Sequence, residues 1–155
     1  MQPAFSFETE FLCNLEADLS VPEIIGQVPE GLRIIFYIQG GTFAGPKMRG
    51  TIKPGGADWF LLRPDGVGRL DVRATIETDD GALIYVYYQG LIDFPEEVKK
   101  ELAQGILPVG GKFRILTNPI FRTSCEKYCW LNGTFAVGVG STGENKVSYS
   151  IYRIK

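Results

Sequence analysis

The chain has 155 residues, 45% hydrophobic and 22% charged, which is the composition of one packed globular domain and excludes a disordered or collagenous protein. Its 18 acidic and 16 basic residues leave a net charge of -2 with no basic block, so nucleic acid is not an expected partner. There is no histidine at all, and that removes every Ser-His, Cys-His and His-metal arrangement from the available chemistry.

Glycine occurs 19 times and proline 9 times, scattered between short apolar runs as they are in all-β chains. The segment Met1 to Phe11 carries Glu8 and Glu10 where a signal peptide needs basic and then apolar residues. No stretch is long and apolar enough to span a bilayer as a helix. The expectation is a cytoplasmic protein with no membrane partner. Ala4 to Leu15 alternates in part, with Phe5, Phe7, Phe11 and Cys13 on one parity, and suits a half-buried strand. Gly31 to Gln39 holds Ile34-Ile35-Phe36-Tyr37-Ile38, β-branched enough for a buried strand. Further strands are expected at Lys47 to Ile52, Ala57 to Leu62, Val67 to Thr78, Ala82 to Ile92, Lys112 to Thr117, Trp130 to Gly140 and Lys146 to Ile154, about nine in all. One segment, Pro95 to Gln104, reads as a helix. Asp93 is placed to cap it, Glu96 to complete a capping box and Gly105 to stop it, with Val98 and Leu102 on one face. Many antiparallel strands in a single domain over 1–155 point to a barrel or a sandwich, and a barrel leaves no long edge strand exposed.

The hairpin of Val67 to Gln89 can be read residue by residue. Asp79-Asp80-Gly81 suits a three-residue loop with glycine in the left-handed position, so Thr78 should oppose Ala82. Counting back, Leu70, Val72, Ala74 and Ile76 share a face with Ile84, Val86 and Tyr88. Asp71, Arg73, Thr75 and Glu77 share the other with Leu83, Tyr85, Tyr87 and Gln89. Either the apolar face fills the core and the polar ladder meets water, or the ladder lines a polar lumen that binds a ligand.

Gly55-Gly56-Ala57-Asp58-Trp59 places a carboxylate at the mouth of a strand beside an aromatic wall, where Asp58 could serve as a general base or simply bond nearby backbone N–H groups. Phe121, Tyr128 and Trp130 could line an apolar cavity or pack a core. Cys13, Cys125 and Cys129 are too few for a disulfide framework and, without histidine, short of a structural metal set. No phosphate loop or strand-linked dinucleotide motif is present. The expectation is therefore no metal and no cofactor. Asn132-Gly133-Thr134 matches a glycosylation sequon but reads as part of a turn.

Gly55-Gly56-Ala57-Asp58-Trp59, Arg63-Pro64-Asp65-Gly66-Val67, Leu70-Asp71-Val72-Arg73 and Thr78-Asp79-Asp80-Gly81-Ala82-Leu83-Ile84-Tyr85 together resemble a family of small lipocalin-like barrel proteins known only as a domain of unknown function. Tyr128, Trp130-Leu131-Asn132 and Val137-Gly138-Val139-Gly140 resemble that family's C-terminal half. The resemblance implies an antiparallel β-barrel related in shape to lipocalins and allene-oxide-cyclase-like proteins, and by analogy a polar, ligand-binding lumen. It brings no established reaction.

The function expected from these residues is acid/base catalysis without a cofactor on a small apolar or aromatic oxygenated metabolite, of isomerase, cyclase or lyase type. Asp58 or Glu77 would be the base, Tyr85 or Tyr87 the acid, and Arg73 the stabiliser of developing negative charge, with Trp59, Phe121, Tyr128 and Trp130 lining the ligand. The alternatives are a carrier barrel that holds the same kind of molecule unchanged, and a structural subunit of a homo-oligomer.

Overall fold

Short β-branched and aromatic runs separated by glycine and proline turns fold, among the described residues, into 11 strands of one sheet. The structure, a computed structural model, describes residues 1–108 and 111–155. The strands are β1 (Thr9–Leu19), β2 (Glu23–Val28), β3 (Gly31–Ala44), β4 (Arg49–Ile52), β5 (Ala57–Leu62), β6 (Val67–Thr78), β7 (Leu83–Asp93), β8 (Arg114–Thr117), β9 (Ile120–Arg122), β10 (Ala136–Gly143) and β11 (Lys146–Ile154). A helix α1 (Glu96–Ala103) lies between β7 and β8, and a 3-10 helix (Glu126–Gly133) between β9 and β10. Eight strands close on themselves in the order β1-β3-β5-β6-β7-β8-β10-β11, each antiparallel to the next. The other three are short additions: β2 on β3, β4 bridging β3 and β6, and β9 on β7. Among the described residues no helix is long and apolar enough to cross a membrane.

The central hairpin has the register its sequence dictates. Gly81 sits at φ 88°, the Thr78 N–H donates to the Ala82 carbonyl at 2.9 Å, and Ile76 faces Ile84, Val72 faces Tyr88. Leu70, Val72, Ile76, Ile84 and Val86 are buried, so the apolar parity points into the barrel and the charged ladder points out.

Several boundaries differ from the sequence expectation, each for a local reason. β1 begins at Thr9 rather than Ala4, and a bulge between Phe11 and Cys13 turns Leu12 and Cys13 both inward while Phe11 stays exposed. α1 has no side-chain cap, because it starts at Glu96 with Pro95 at the capping position; Asp93, two residues earlier, pairs with Lys99 at 3.4 Å instead. The strand expected from Trp130 starts only at Ala136. Before it, the 3-10 helix sets Tyr128 and Leu131, three residues apart, on one inward face.

That 3-10 helix plugs one end of the barrel. Leu131 is fully buried against a core that includes Leu12, Phe43, Ile84 and Phe121. The Tyr128 hydroxyl donates to Asp80 at 2.8 Å, and Asp80 also accepts from Thr78 and Lys127 at 2.6 Å each. These donors, Lys127 foremost, hold the Asp80 carboxyl well below the usual carboxylate range.

Candidate active site

The opposite end is hollow. Where the strands pass beyond Ile84 and Val86 the lumen opens into a cavity of about 410 Å³, bounded by Ile34, Phe36, Phe60, Val72, Ile92 and Phe113 among others. Its rim is the chain at Leu19 to Pro22, Leu102 of α1 and the turn at Thr142 to Lys146. Deep on its wall stand three polar side chains, Asp58, Tyr88 and Tyr149.

Asp58 comes from β5, on the same inward parity as Phe60. In the sheet register Phe36, Asp58, Val72 and Tyr88 form one row across β3, β5, β6 and β7, which fixes the carboxyl and one phenol about 10 Å apart at the backbone. The β5–β6 ladder is interrupted between the Asp58–Val72 and Leu61–Arg69 pairs. There the Asp71 backbone N–H donates to the Asp58 carboxylate at 2.9 Å, and the Trp59 carbonyl accepts from the Arg33 guanidinium at 2.6 Å. Asp58 thus takes a backbone partner that would otherwise belong to the sheet. Asp58 is half-buried by surface area, and the access it keeps is on the cavity wall. Burial lifts its carboxyl to about 7 and the Asp71 charge adds to the rise, against the Asp71 N–H bond and the Arg33 charge.

Tyr88 (β7) and Tyr149 (β11) meet across the lumen with ring centroids 5.6 Å apart and edge to face. Tyr149 is placed by an absence: it pairs with Gly140 of β10, where a Cβ would lie 2.4 Å from the Tyr149 ring. Burial holds both phenols above the usual tyrosine range, and the Asp58 charge pushes each the same way. At neutral pH they are hydrogen-bond donors. The two hydroxyls are close enough to bear on each other's ionisation, but Tyr149 Oη is buried with no hydrogen-bond partner among the described residues.

Of the nine residues singled out from sequence, Asp58 alone lines this cavity. The hairpin's polar face lies on the outside, since its other parity fills the core. Arg73 stacks over Trp59 at 5.6 Å and approaches Asp71 at 3.7 Å. Glu77 pairs with Lys53 at 3.4 Å, and Tyr85 stacks on Tyr87 at 5.3 Å. Trp59 follows Asp58 in the strand and so faces outward. Phe121 and Tyr128 are core at the plugged end, and Trp130 lies under the Lys47 ammonium at 5.5 Å. The expectation of a polar ladder inside the lumen is corrected accordingly. Tyr88 and Tyr149 were not singled out. The signal was there, in one phenol on each of two inward parities, Ile84-Val86-Tyr88 and Val147-Tyr149-Ile151.

Residues 7–154 match the family described as protein of unknown function (DUF3237). The chain belongs to this family. Similar members include a UPF0311 protein of Rhodopseudomonas palustris, 31% identical over 152 residues, covering 96% of this chain and 97% of that one. The crystal structure of a beta-barrel like protein from Acinetobacter baumannii is similar to this DUF3237 barrel with a TM-score of 0.81 and 36% identity, over 100% of both chains. A hydroalkoxylation enzyme of Penicillium herquei is 29% identical over 129 residues, covering 83% of this chain and 71% of the fungal one.

Proposed function

We propose that this DUF3237 barrel is an acid/base enzyme that moves a proton within a small apolar or aromatic oxygenated molecule held in its lumen, in an isomerisation, cyclisation or lyase-type elimination. The observation that carries this reading is Asp58, a carboxyl on the wall of a mostly apolar cavity and lifted by burial to about 7. A group with that poise is both acceptor and donor at neutral pH, which is what a proton carrier without histidine requires. The cavity, at about 410 Å³, has the volume of a small-molecule site. Among the described residues its lining supplies no cation deeper than Lys146 at the rim, so an uncharged guest fits best.

The Penicillium relative supports the reaction class. Hydroalkoxylation adds an O–H bond across a carbon–carbon double bond, so that oxygen loses a proton and carbon gains one. A single carboxyl that accepts the first proton and delivers the second returns to its starting state.

The test is proton transfer itself. The protein is incubated in D2O with aryl ketones such as 2-acetylnaphthalene and with hydroxyl-bearing enones, and deuterium incorporation or ring closure is followed by NMR. Turnover should rise through pH 7 as Asp58 ionises, and Asp58→Asn should lower it by about 100-fold or more. Guests bound and released with neither exchange nor closure at any pH would make the barrel a carrier.

A further inference from the structure

We infer that Tyr149 and Tyr88 form a clamp for one carbonyl oxygen, so that the molecules this barrel takes are uncharged ketones or enones, bound with the oxygen at the phenols and the adjacent carbon toward Asp58. The clamp deepens the acid/base reading and rests on it for the proton-transfer step alone.

The geometry is built for a guest oxygen. Tyr149 Oη is fully buried on the cavity wall, near the Tyr88 hydroxyl but with no hydrogen bond within 3.5 Å among the described residues, an arrangement proteins avoid unless something else supplies the partner. Space for its ring exists because residue 140 is glycine, and its position is fixed by the edge-to-face contact with Tyr88. Both phenols are held in their donating form by burial. Two donors side by side in a mostly apolar pocket suit an acceptor that is neutral when it binds and gains negative charge as it reacts. A carboxylate or phosphate guest would bring a full charge into a cavity whose deep wall, among the described residues, offers it no cation and one further acid, Asp58.

With Asp58 in the same row as Tyr88, the step follows. The Asp58 carboxylate removes a proton from the carbon next to the carbonyl, and the C–H electron pair becomes the carbon–carbon double bond of an enolate. The carbonyl π pair moves onto oxygen, where the phenols stabilise it by hydrogen bonding. Return of the proton from Asp58 to the same carbon gives exchange or epimerisation, and return to the far carbon of a conjugated system shifts the double bond. No other reactant is consumed.

Two probes of one shape separate the oxygen from the bulk: 2-acetylnaphthalene and 2-ethylnaphthalene. The wild-type protein should bind the ketone about five- to tenfold more tightly, and the carbonyl stretch of the ¹³C-labelled ketone should move to lower frequency in the complex. Tyr149→Phe should remove the preference and most of the frequency shift while leaving affinity for 2-ethylnaphthalene unchanged, with Tyr88→Phe giving a partial loss of both. Asp58→Asn should keep the preference and the shift while losing deuterium exchange, which separates failure of the clamp from failure of the acid/base reading. Equal affinity for the two probes, an unshifted carbonyl in the wild-type complex, or failure of both probes to bind would overturn the clamp. The frequency shift needs no variant, so the result stands even if a tyrosine substitution unfolds the barrel.

Discussion

The two ends of the barrel use the same strands and the same inward parity, yet one is solid and the other hollow. On β7 the inward residues run Ile84, Val86, Tyr88, and on β11 they run from Ile151 back to Tyr149. In both, aliphatic side chains fill the plugged end and a phenol marks where packing stops. The chemistry sits at that border, where polar groups are buried enough to be perturbed and still open to a guest. The ends also treat an aspartate in opposite ways. Asp80 at the plugged end is surrounded by donors and its carboxyl is driven down, whereas Asp58 at the hollow end is desolvated and driven up.

If one end carries the stability and the other the function, shortening a side chain should have unequal costs. Ile84→Ala should destabilise by about 3 kcal/mol, because the packed surroundings cannot close the void. Phe36→Ala, on the cavity wall, should cost roughly half that, since one side of the ring already lacks neighbours. Urea unfolding of both variants measures the difference, and equal costs would mean the hollow end is as tightly built as the plug.

The two aspartates sharpen the contrast through pH. The folded pKa of Asp58 is raised from 3.8 to about 7, so the folded state holds this proton more tightly than the unfolded chain, and its contribution falls as pH rises from about 4 through 7. Asp58→Asn keeps an acceptor for the Asp71 N–H without the charge. It should stabilise the protein by roughly 1–3 kcal/mol above pH 8 and by little below pH 4, read from melting curves at both pH values. Asp80 has the opposite sign. Its depressed pKa gives a contribution present above the unfolded value of 3.8 and lost as pH falls further, so the plug is the end that acid loosens.

The smallest effects belong to the outer ladder. Glu77→Gln and Arg73→Ala should each change stability by no more than about 0.5 kcal/mol and leave proton exchange unchanged in the D2O assay. A large loss of exchange in either would move the chemistry to the outside of the barrel.

Much of this fold could be read before the structure. Asp79-Asp80-Gly81 set the hairpin register because a turn of that length leaves one pairing, and strict alternation from Leu70 to Ile76 and Ile84 to Tyr88 then assigned the faces. Alternation alone, however, does not say which face is inside. Closure of the barrel decides that, and closure depends on pairings such as β1 with β11 that lie far apart in sequence. Asp58 was legible as a strand-mouth carboxylate next to paired glycines. Tyr149 was not, since its place depends on Gly140 of the neighbouring β10 on one side and on Tyr88 of β7, three strands away around the barrel, on the other. Nor was the bulge after Phe11, where two consecutive residues turn inward and break the parity that the phenylalanines suggest. Trp130 looked like the start of a strand because aromatics favour strands, but the plug needed a tight turn there more than another rung.

The bond from the Asp71 N–H to the Asp58 carboxylate ties an amide of the wall directly to the lumen's acid. Whenever Asp58 gains or loses its proton, the electron density around that amide changes with it. In a ¹⁵N-labelled sample the Asp71 resonance is therefore a built-in indicator of charge inside the barrel, readable with the lumen empty and again as a guest enters.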